Sequence, residues 1–328
     1  MGLKIKIEFH LHVYRGEKMI ETPARVETDD KTDARLLATT ALETIEELAL
    51  SHSQSTIANY MTAVRSFLQF AGREVRIDQI DVQMLKNYQH WLRQNGLNLN
   101  TISCYMRSLR SLLVKLGRDD ALNCFHEVYT GRAQTPKRSI TEEDIVRIKN
   151  VKLRKNSFLY LVRDLFMFSF YAMGMPFVDM AYLKRSQIRD GQFSYHRHKT
   201  GQTINVLIEP CMQEIIDHYT DRKGAYVFPL LSSELPPLAY VQYLRKLNSY
   251  NKALKRLATV AGIKGTLTSY VPRHSWASIA YQSNVALSLI SQALGHANPH
   301  NTMTYIRQID GEQLKSANRN LINNLELL

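Results

Sequence analysis

Cysteine is scarce in this chain: Cys104, Cys124 and Cys211 are the only three in 328 residues, and no C-x-x-C pair occurs. Neither a disulfide framework nor a cysteine-built zinc site is indicated, and reduced thiols are expected. Long apolar runs are also missing, since none approaches the ~18 residues of a membrane span. The N-terminus alternates lysine with isoleucine where a signal peptide would show a continuous apolar block. The expectation is a soluble, cytoplasmic protein that does not engage a membrane. Neither G-x-x-x-x-G-K-[ST] nor G-x-G-x-x-G is present, which argues against an NTP-driven or dinucleotide-dependent enzyme. Without G-x-S-x-G, a hydrolase elbow has no support either.

What is abundant is positive charge. The formal net charge of +12 suits a polyanionic partner. Its distribution is uneven: residues 1–51 hold seven Lys or Arg against ten Asp or Glu, whereas residues 83–138 hold nine against three. The basic charge therefore sits inside the chain, and the N-terminus is a poor electrostatic anchor. The length leaves room for two domains of the usual ~100–200 residues.

Residues 4–13 alternate strictly, with Ile5, Ile7, Phe9, Leu11 and Val13 on one side, the period of a half-buried strand. Residues 1–30 are otherwise of unknown role. Residues 30–50 read as a helix, and a second follows over 53–72 with Ile57, Tyr60, Met61, Val64, Phe67 and Leu68 at helical spacing. Asp81 is expected to cap a third helix ending at Asn95-Gly96, and Asn100 to cap a fourth. In the fourth, Ile102, Tyr105, Met106, Leu109, Leu112, Leu113 and Leu116 make an apolar stripe, while Ser103, Arg107, Ser111 and Lys115 fall elsewhere around the helix. This predicts an α-helical DNA-gripping module over 31–130, with Arg107, Arg110 and Lys115 as DNA-binding residues.

Residues 131–138 have the Gly, Pro, Gln and Thr content of an interdomain linker. A second domain over 139–328 opens with Thr141 as a helix cap. Residues 192–208 read as two strands about the turn Lys199-Thr200-Gly201-Gln202, and everything from Met212 onward has a helical pattern. The fold class expected is mainly α with one small antiparallel β-sheet.

The C-terminal part carries Arg273-His274-Ser275-Trp276-Ala277, then Leu294-Gly295-His296, then Thr302-Met303-Thr304-Tyr305, with the tyrosine nine positions after the histidine. Each piece is weak alone, but their order and spacing together resemble the signature of the tyrosine recombinase (phage-type integrase) family over roughly residues 51–321. The resemblance implies a SAM-like core-binding domain joined to a mixed α+β catalytic domain, with the Leu-Gly-His beginning a helix. It also implies that Tyr305, Arg273, His296 and Lys199, in a Lys-Thr-Gly-Gln turn similar to the family's hairpin lysine motif, are catalytic.

The chemistry fits those residue types. Attack on a phosphodiester builds negative charge on the nonbridging oxygens, and without a metal or other cofactor fixed donors must meet it. A guanidinium at Arg273 stays charged and offers two parallel donors; His296 would be a second donor. Tyr305 would be the nucleophile, conserving the bond energy of the broken strand, and Lys199 would protonate the leaving 5′ oxygen.

Two positions depart from the pattern. The family's histidine or lysine three residues before the second arginine is here Tyr270, whose phenol can still contact a phosphate oxygen. The first arginine is absent: Pro176 stands in its place in Gly174-Met175-Pro176-Phe177-Val178-Asp179, and Met173 in the alternative register. Either a neighbouring basic residue such as Arg163 or Lys184 substitutes, or activity is weakened. The pairs His196/His198 and His296/His300 have metal-compatible spacing but lack a third ligand, so solvated or DNA-facing histidines and no metal are expected.

The reading is a site-specific recombinase of the integrase or invertase type that clamps duplex DNA at an inverted-repeat core site through a 3′-phosphotyrosyl intermediate. Leu314, Ala317, Leu321, Leu325 and Leu328 form a tail stripe that either packs on its own domain or, as the resemblance implies, is exchanged between protomers of a homo-tetramer on DNA. A noncatalytic regulator of recombination sites and a type IB topoisomerase-like enzyme are the rival readings.

Overall fold

The computed structural model describes residues 35–135, 138–219, 224–296, 300–303 and 319. The strand expected over 4–13, Tyr305 and the tail stripe from Leu314 to Leu328 lie outside the described residues. The chain divides into two compact units, Met1–Gln134 and Thr135–Leu328.

The first unit contains α1 (Leu37–Leu48), α2 (Gln54–Ala71), α3 (Val82–Gln94), α4 (Leu99–Lys115) and the single turn α5 (Ala121–Cys124). Local chemistry starts two of these helices where the sequence indicates. Ser53 Oγ accepts from Thr56 N at 3.2 Å, and Asp81 Oδ1 accepts from Met84 N at 2.7 Å, each satisfying a donor that the first helical turn leaves orphaned. The apolar stripes then meet in one core that includes Leu37, Ile45, Phe67, Tyr88, Met106, Leu109 and Leu113. Phe67 meets Tyr88 edge-on with centroids 5.0 Å apart, a favoured aromatic geometry.

The fourth helix departs from expectation at its start. Asn98, not Asn100, is the cap, accepting from Thr101 N at 3.0 Å. Asn100 lies within the helix and makes two bonds with the backbone of Ala133, at 3.0 and 2.9 Å. Either asparagine can cap, and a partner 33 positions along the chain claims one of them. Two of the expected polar positions also face the interior. Ser103 is fully buried and donates to Gly131 O at 2.6 Å, and Ser111 meets the Tyr60 hydroxyl at 2.9 Å.

The second unit begins with α6 (Glu142–Asn150), capped by Thr141 through Asp144 N at 3.3 Å. Next comes α7 (Phe158–Tyr171), whose Val162, Leu165, Phe166, Met167 and Phe168 are all buried. A helix apolar on most of its circumference belongs at the centre of a domain, and α7 packs against α6 and three later helices. After the short α8 (Phe177–Ala181) the chain forms a three-stranded antiparallel sheet of β1 (Ile188–Arg189), β2 (Gln192–His196) and β3 (Thr203–Leu207) in sequential order. His196 pairs with Thr203 across the turn that carries Lys199. Phe193, Tyr195, Ile204 and Val206 alternate into the core, as the period of two requires.

The remaining helices are α9 (Pro210–His218), α10 (Pro236–Val260), α11 (Val271–Gln282), α12 (Leu287–Ala293) and α13 (His300–Met303). The helical pattern expected from Met212 onward is interrupted over residues 224–235. Gly224 has φ +141°, Pro229 follows, and Tyr226 forms an isolated bridge with Lys184, so this stretch is irregular. The protein is thus mainly α with one small antiparallel sheet. No helix among the described residues is long and apolar enough to cross a membrane.

Candidate functional site

Arg273 is the largest fully buried side chain of the described residues, with 2% of its surface exposed. It sits in the first turn of α11, behind Tyr270, Val271 and Pro272, where a proline forfeits only an N–H that the helix start leaves unused. Opposite it, the chain leaving α7 bends through Met173 and Gly174, at φ +55° and +73°. A Cβ on Gly174 would lie 2.8 Å from Arg273 Cα, so only glycine lets the two backbones approach this closely. Arg273 Nη1 donates to Gly174 O at 3.0 Å, and Nη2 donates to Leu294 O at 2.5 Å.

Leu294 and Gly295 follow the end of α12. The Leu-Gly-His segment therefore terminates one helix, where the resemblance implied that it begins one; Gly295 at φ +61° stops α12 in the left-handed conformation common after helix ends. His296 comes next, its Nε2 3.1 Å from Arg273 Nη2 and its Nδ1 2.9 Å from Thr302 Oγ1. A guanidinium can only donate, so Nε2 is the accepting nitrogen and the ring proton resides on Nδ1, facing Thr302. Burial above all, with added repulsion from Arg273, Arg197 and Lys199, pushes the imidazole down from its usual 6.5 to about 4. The ring is neutral at neutral pH in the DNA-free protein.

Lys199 is exposed in the turn between β2 and β3. That turn docks beside the histidine: Thr200 Oγ1 donates to Gly295 O at 3.2 Å. Asp179, in α8, holds its other side. The buried carboxylate accepts from His198 N at 3.0 Å and meets His198 Nδ1 at 2.8 Å. His198 thus lies in the turn beyond the end of β2, and His196 contacts Thr203 Oγ1 at 3.0 Å, so the two engage different partners.

One residue of the site escaped sequence reasoning. Arg197, only 7% exposed, continues the inward alternation of Phe193 and Tyr195. Its Nη1 donates to Leu294 O, the same carbonyl that Arg273 uses. Its Nε faces Asp179 Oδ2 at 3.3 Å, close enough for charge pairing though not aligned as a hydrogen bond. The basic residues nearest the missing arginine are engaged elsewhere. Arg163 pairs with Asp164 at 2.7 Å and stacks 4.0 Å over the Tyr160 ring, and Lys184 pairs with Glu234 at 2.5 Å.

Of the other candidates, Tyr270 is 48% exposed at the N-terminal boundary of α11. In the first unit Arg107 and Lys115 are exposed and Arg110 half-buried, all on α4; Arg107 Nε bends back to Ser103 O at 3.3 Å. Tyr305 lies outside the described residues, three positions beyond Thr302.

Comparison with known proteins identifies the family. Residues 36–122 match the phage integrase SAM-like domain, and residues 138–312 match the phage integrase family. The chain belongs to the phage integrase family. Among curated members it is similar to tyrosine recombinase XerD of Oceanobacillus iheyensis, 23% identical over 273 residues that cover 77% of this chain and 87% of the relative. It is also similar to tyrosine recombinase XerC of Escherichia coli O157:H7, 25% identical over 276 residues covering 80% and 89%. The phage integrase fold is shared with a lambda integrase tetramer bound to a Holliday junction, at a TM-score of 0.63, 14% identity and coverage of 85% of this chain and 80% of that one. The Tn1549 transposon integrase in complex with transposon right end DNA gives 0.65, at 12% identity and coverage of 88% and 99%.

Proposed function

We propose that this phage integrase family member is a site-specific recombinase that cuts and rejoins double-stranded DNA through a covalent link to Tyr305. The observation that carries this reading is the convergence of Arg273, neutral His296 and the Lys199 turn around residues 294–296, next to a chain that reaches Tyr305 nine positions after His296. The Tyr305 phenolic oxygen attacks the scissile phosphorus, and its proton passes to His296 Nε2, which then becomes a charged donor to the phosphate. The P–O5′ bond breaks, and Lys199 gives the leaving oxygen its proton. Religation reverses these transfers with a different 5′-hydroxyl and needs no energy source. Arg107, Arg110 and Lys115 hold phosphates of the core site, and affinity falls steeply as salt rises. The lambda integrase tetramer bound to a Holliday junction supports a tetrameric assembly on DNA; exchange of the tail's leucine stripe between protomers is part of the proposal.

The test begins with a duplex selected by the full-length protein from a random-sequence pool and rebuilt with a nick beside the cleavage point, so that the cut strand cannot be resealed. A denaturant-resistant protein–DNA adduct that disappears in Tyr305→Phe supports the recombinase. The methionine and proline at 173 and 176 favour a second reading, a regulator that occupies such sites; retention of the duplex with no adduct supports it. Relaxation of plasmids that lack the selected site would instead indicate topoisomerase-like action.

A further inference from the structure

Arg197 is a buried cation whose position is costly unless it serves some use. Taking a guanidinium out of water is costly and is repaid only by well-made partners. Arg197 has incomplete ones. Its carboxylate neighbour Asp179 already takes two contacts from His198, and the Nε–Oδ2 approach of 3.3 Å lacks hydrogen-bond alignment. Its Nη1 shares the Leu294 carbonyl with Arg273, and its Nη2 donates to no described residue. Glycine at 295 makes room for it, since a Cβ there would meet the Arg197 Cγ at 3.0 Å and Cδ at 3.2 Å. Two guanidinium groups are thereby held on one acceptor, beside the imidazole whose protonation both of them disfavour.

The five-coordinate state of a phosphodiester carries its added charge on two nonbridging oxygens, and donors fixed beforehand on both are worth more than donors on one. From this geometry we infer that Arg197 is a catalytic residue, the second guanidinium that meets the scissile phosphate alongside Arg273. This rests on the recombinase reading. Asp179 is then the positioning residue, its Oδ2 facing Arg197 Nε and its Oδ1 accepting from the backbone of the Lys199 turn. The arginine absent at Met173 and Pro176 is replaced from the connection that follows β2, and neither Arg163 nor Lys184 has this part.

The experiment compares adduct formation on the selected nicked duplex with that on the same duplex bearing a methylphosphonate at the scissile position, where a neutral methyl replaces one charged oxygen. Arg197→Ala should slow adduct formation relative to wild type on the phosphodiester by about 10²–10³-fold, the usual cost of one transition-state donor. On the methylphosphonate that deficit should shrink to within about tenfold, because the charge that Arg197 meets is gone. Arg197→Ala combined with Asp179→Asn relieves the stranded carboxylate. It should show the same collapse of the deficit while retaining the selected duplex as wild type does, which excludes loss of fold as the cause. If the double variant is slowed equally on both substrates, or if Arg197→Ala matches wild type on the phosphodiester, the assignment of Arg197 is overturned. Absence of adduct from the wild-type protein would overturn the recombinase reading itself, a distinguishable result.

Discussion

Gly174 and Arg273 touch backbone to backbone: a Cβ at 174 would stand 2.8 Å from the arginine Cα and 3.0 Å from its Cγ. That approach, together with the Nη1 bond to Gly174 O at 3.0 Å, fixes the guanidinium before any DNA arrives. Gly174→Ala should therefore destabilise the protein and also suppress adduct formation. Gly191, at φ +70° with open space around it, is the control. Gly191→Ala should cost only the ~1–2 kcal/mol of a left-handed alanine, and Gly174→Ala clearly more, by denaturant unfolding. Equal losses would mean that the close approach has no energetic weight.

The histidine supplies a pH signature. An unfolded chain protonates His296 near its usual value of about 6.5, whereas burial and neighbouring cations hold the folded ring at about 4. Between those values the unfolded state binds more protons, so this group's contribution to stability is complete above about pH 6.5 and is lost as the pH falls toward 4. Thermal unfolding from pH 4 to 7 should show a shallower pH dependence in His296→Asn than in wild type. Parallel curves would place the ring outside the field of Arg273 and Arg197.

Much of this architecture is legible in local sequence. Ser53, Asp81 and Thr141 cap the helices that follow them because the donors they satisfy lie three residues away. The alternation of Phe193, Tyr195, Ile204 and Val206 reveals the hairpin for the same reason. What stays hidden depends on distant partners. Asn100 rather than Asn98 looks like a cap until Ala133 is known to claim it, and Ser103 looks exposed until Gly131 packs over it. Arg197 escapes notice because arginine is expected at the surface, and its acceptor at Leu294 lies 97 positions away. Its signal was its register, two residues beyond Tyr195 on the inward face.

The clamp on the Lys199 turn predicts a specific weakness. Asp179→Ala leaves Arg197 buried without its carboxylate, and breaking such a buried pair from one side typically costs about 3–5 kcal/mol. Asp179→Asn, which keeps an oxygen acceptor for the turn backbone, should cost less. Chemical denaturation of the two variants checks the order, and the reverse order would show that the contacts with Arg197 and His198 contribute little.

In the first unit the exposed cation at Lys115 should act on DNA without reading its sequence. Lys115→Ala should weaken retention of selected and unrelated duplexes alike, and lower the slope of log affinity against log salt by about one. A loss confined to the selected duplex would instead assign this side chain to base recognition. Measuring binding at several salt concentrations for both duplexes decides between them.

The central claim is that Tyr305 becomes esterified to a DNA strand within a site formed by Arg273 and His296. The most direct measurement is mass analysis of the peptide attached to the nicked duplex after denaturation. The account predicts a nucleotide phosphate on the peptide containing Tyr305, absent in Tyr305→Phe and strongly reduced in Arg273→Ala. Attachment at another residue, or an adduct that survives Tyr305→Phe, would contradict it.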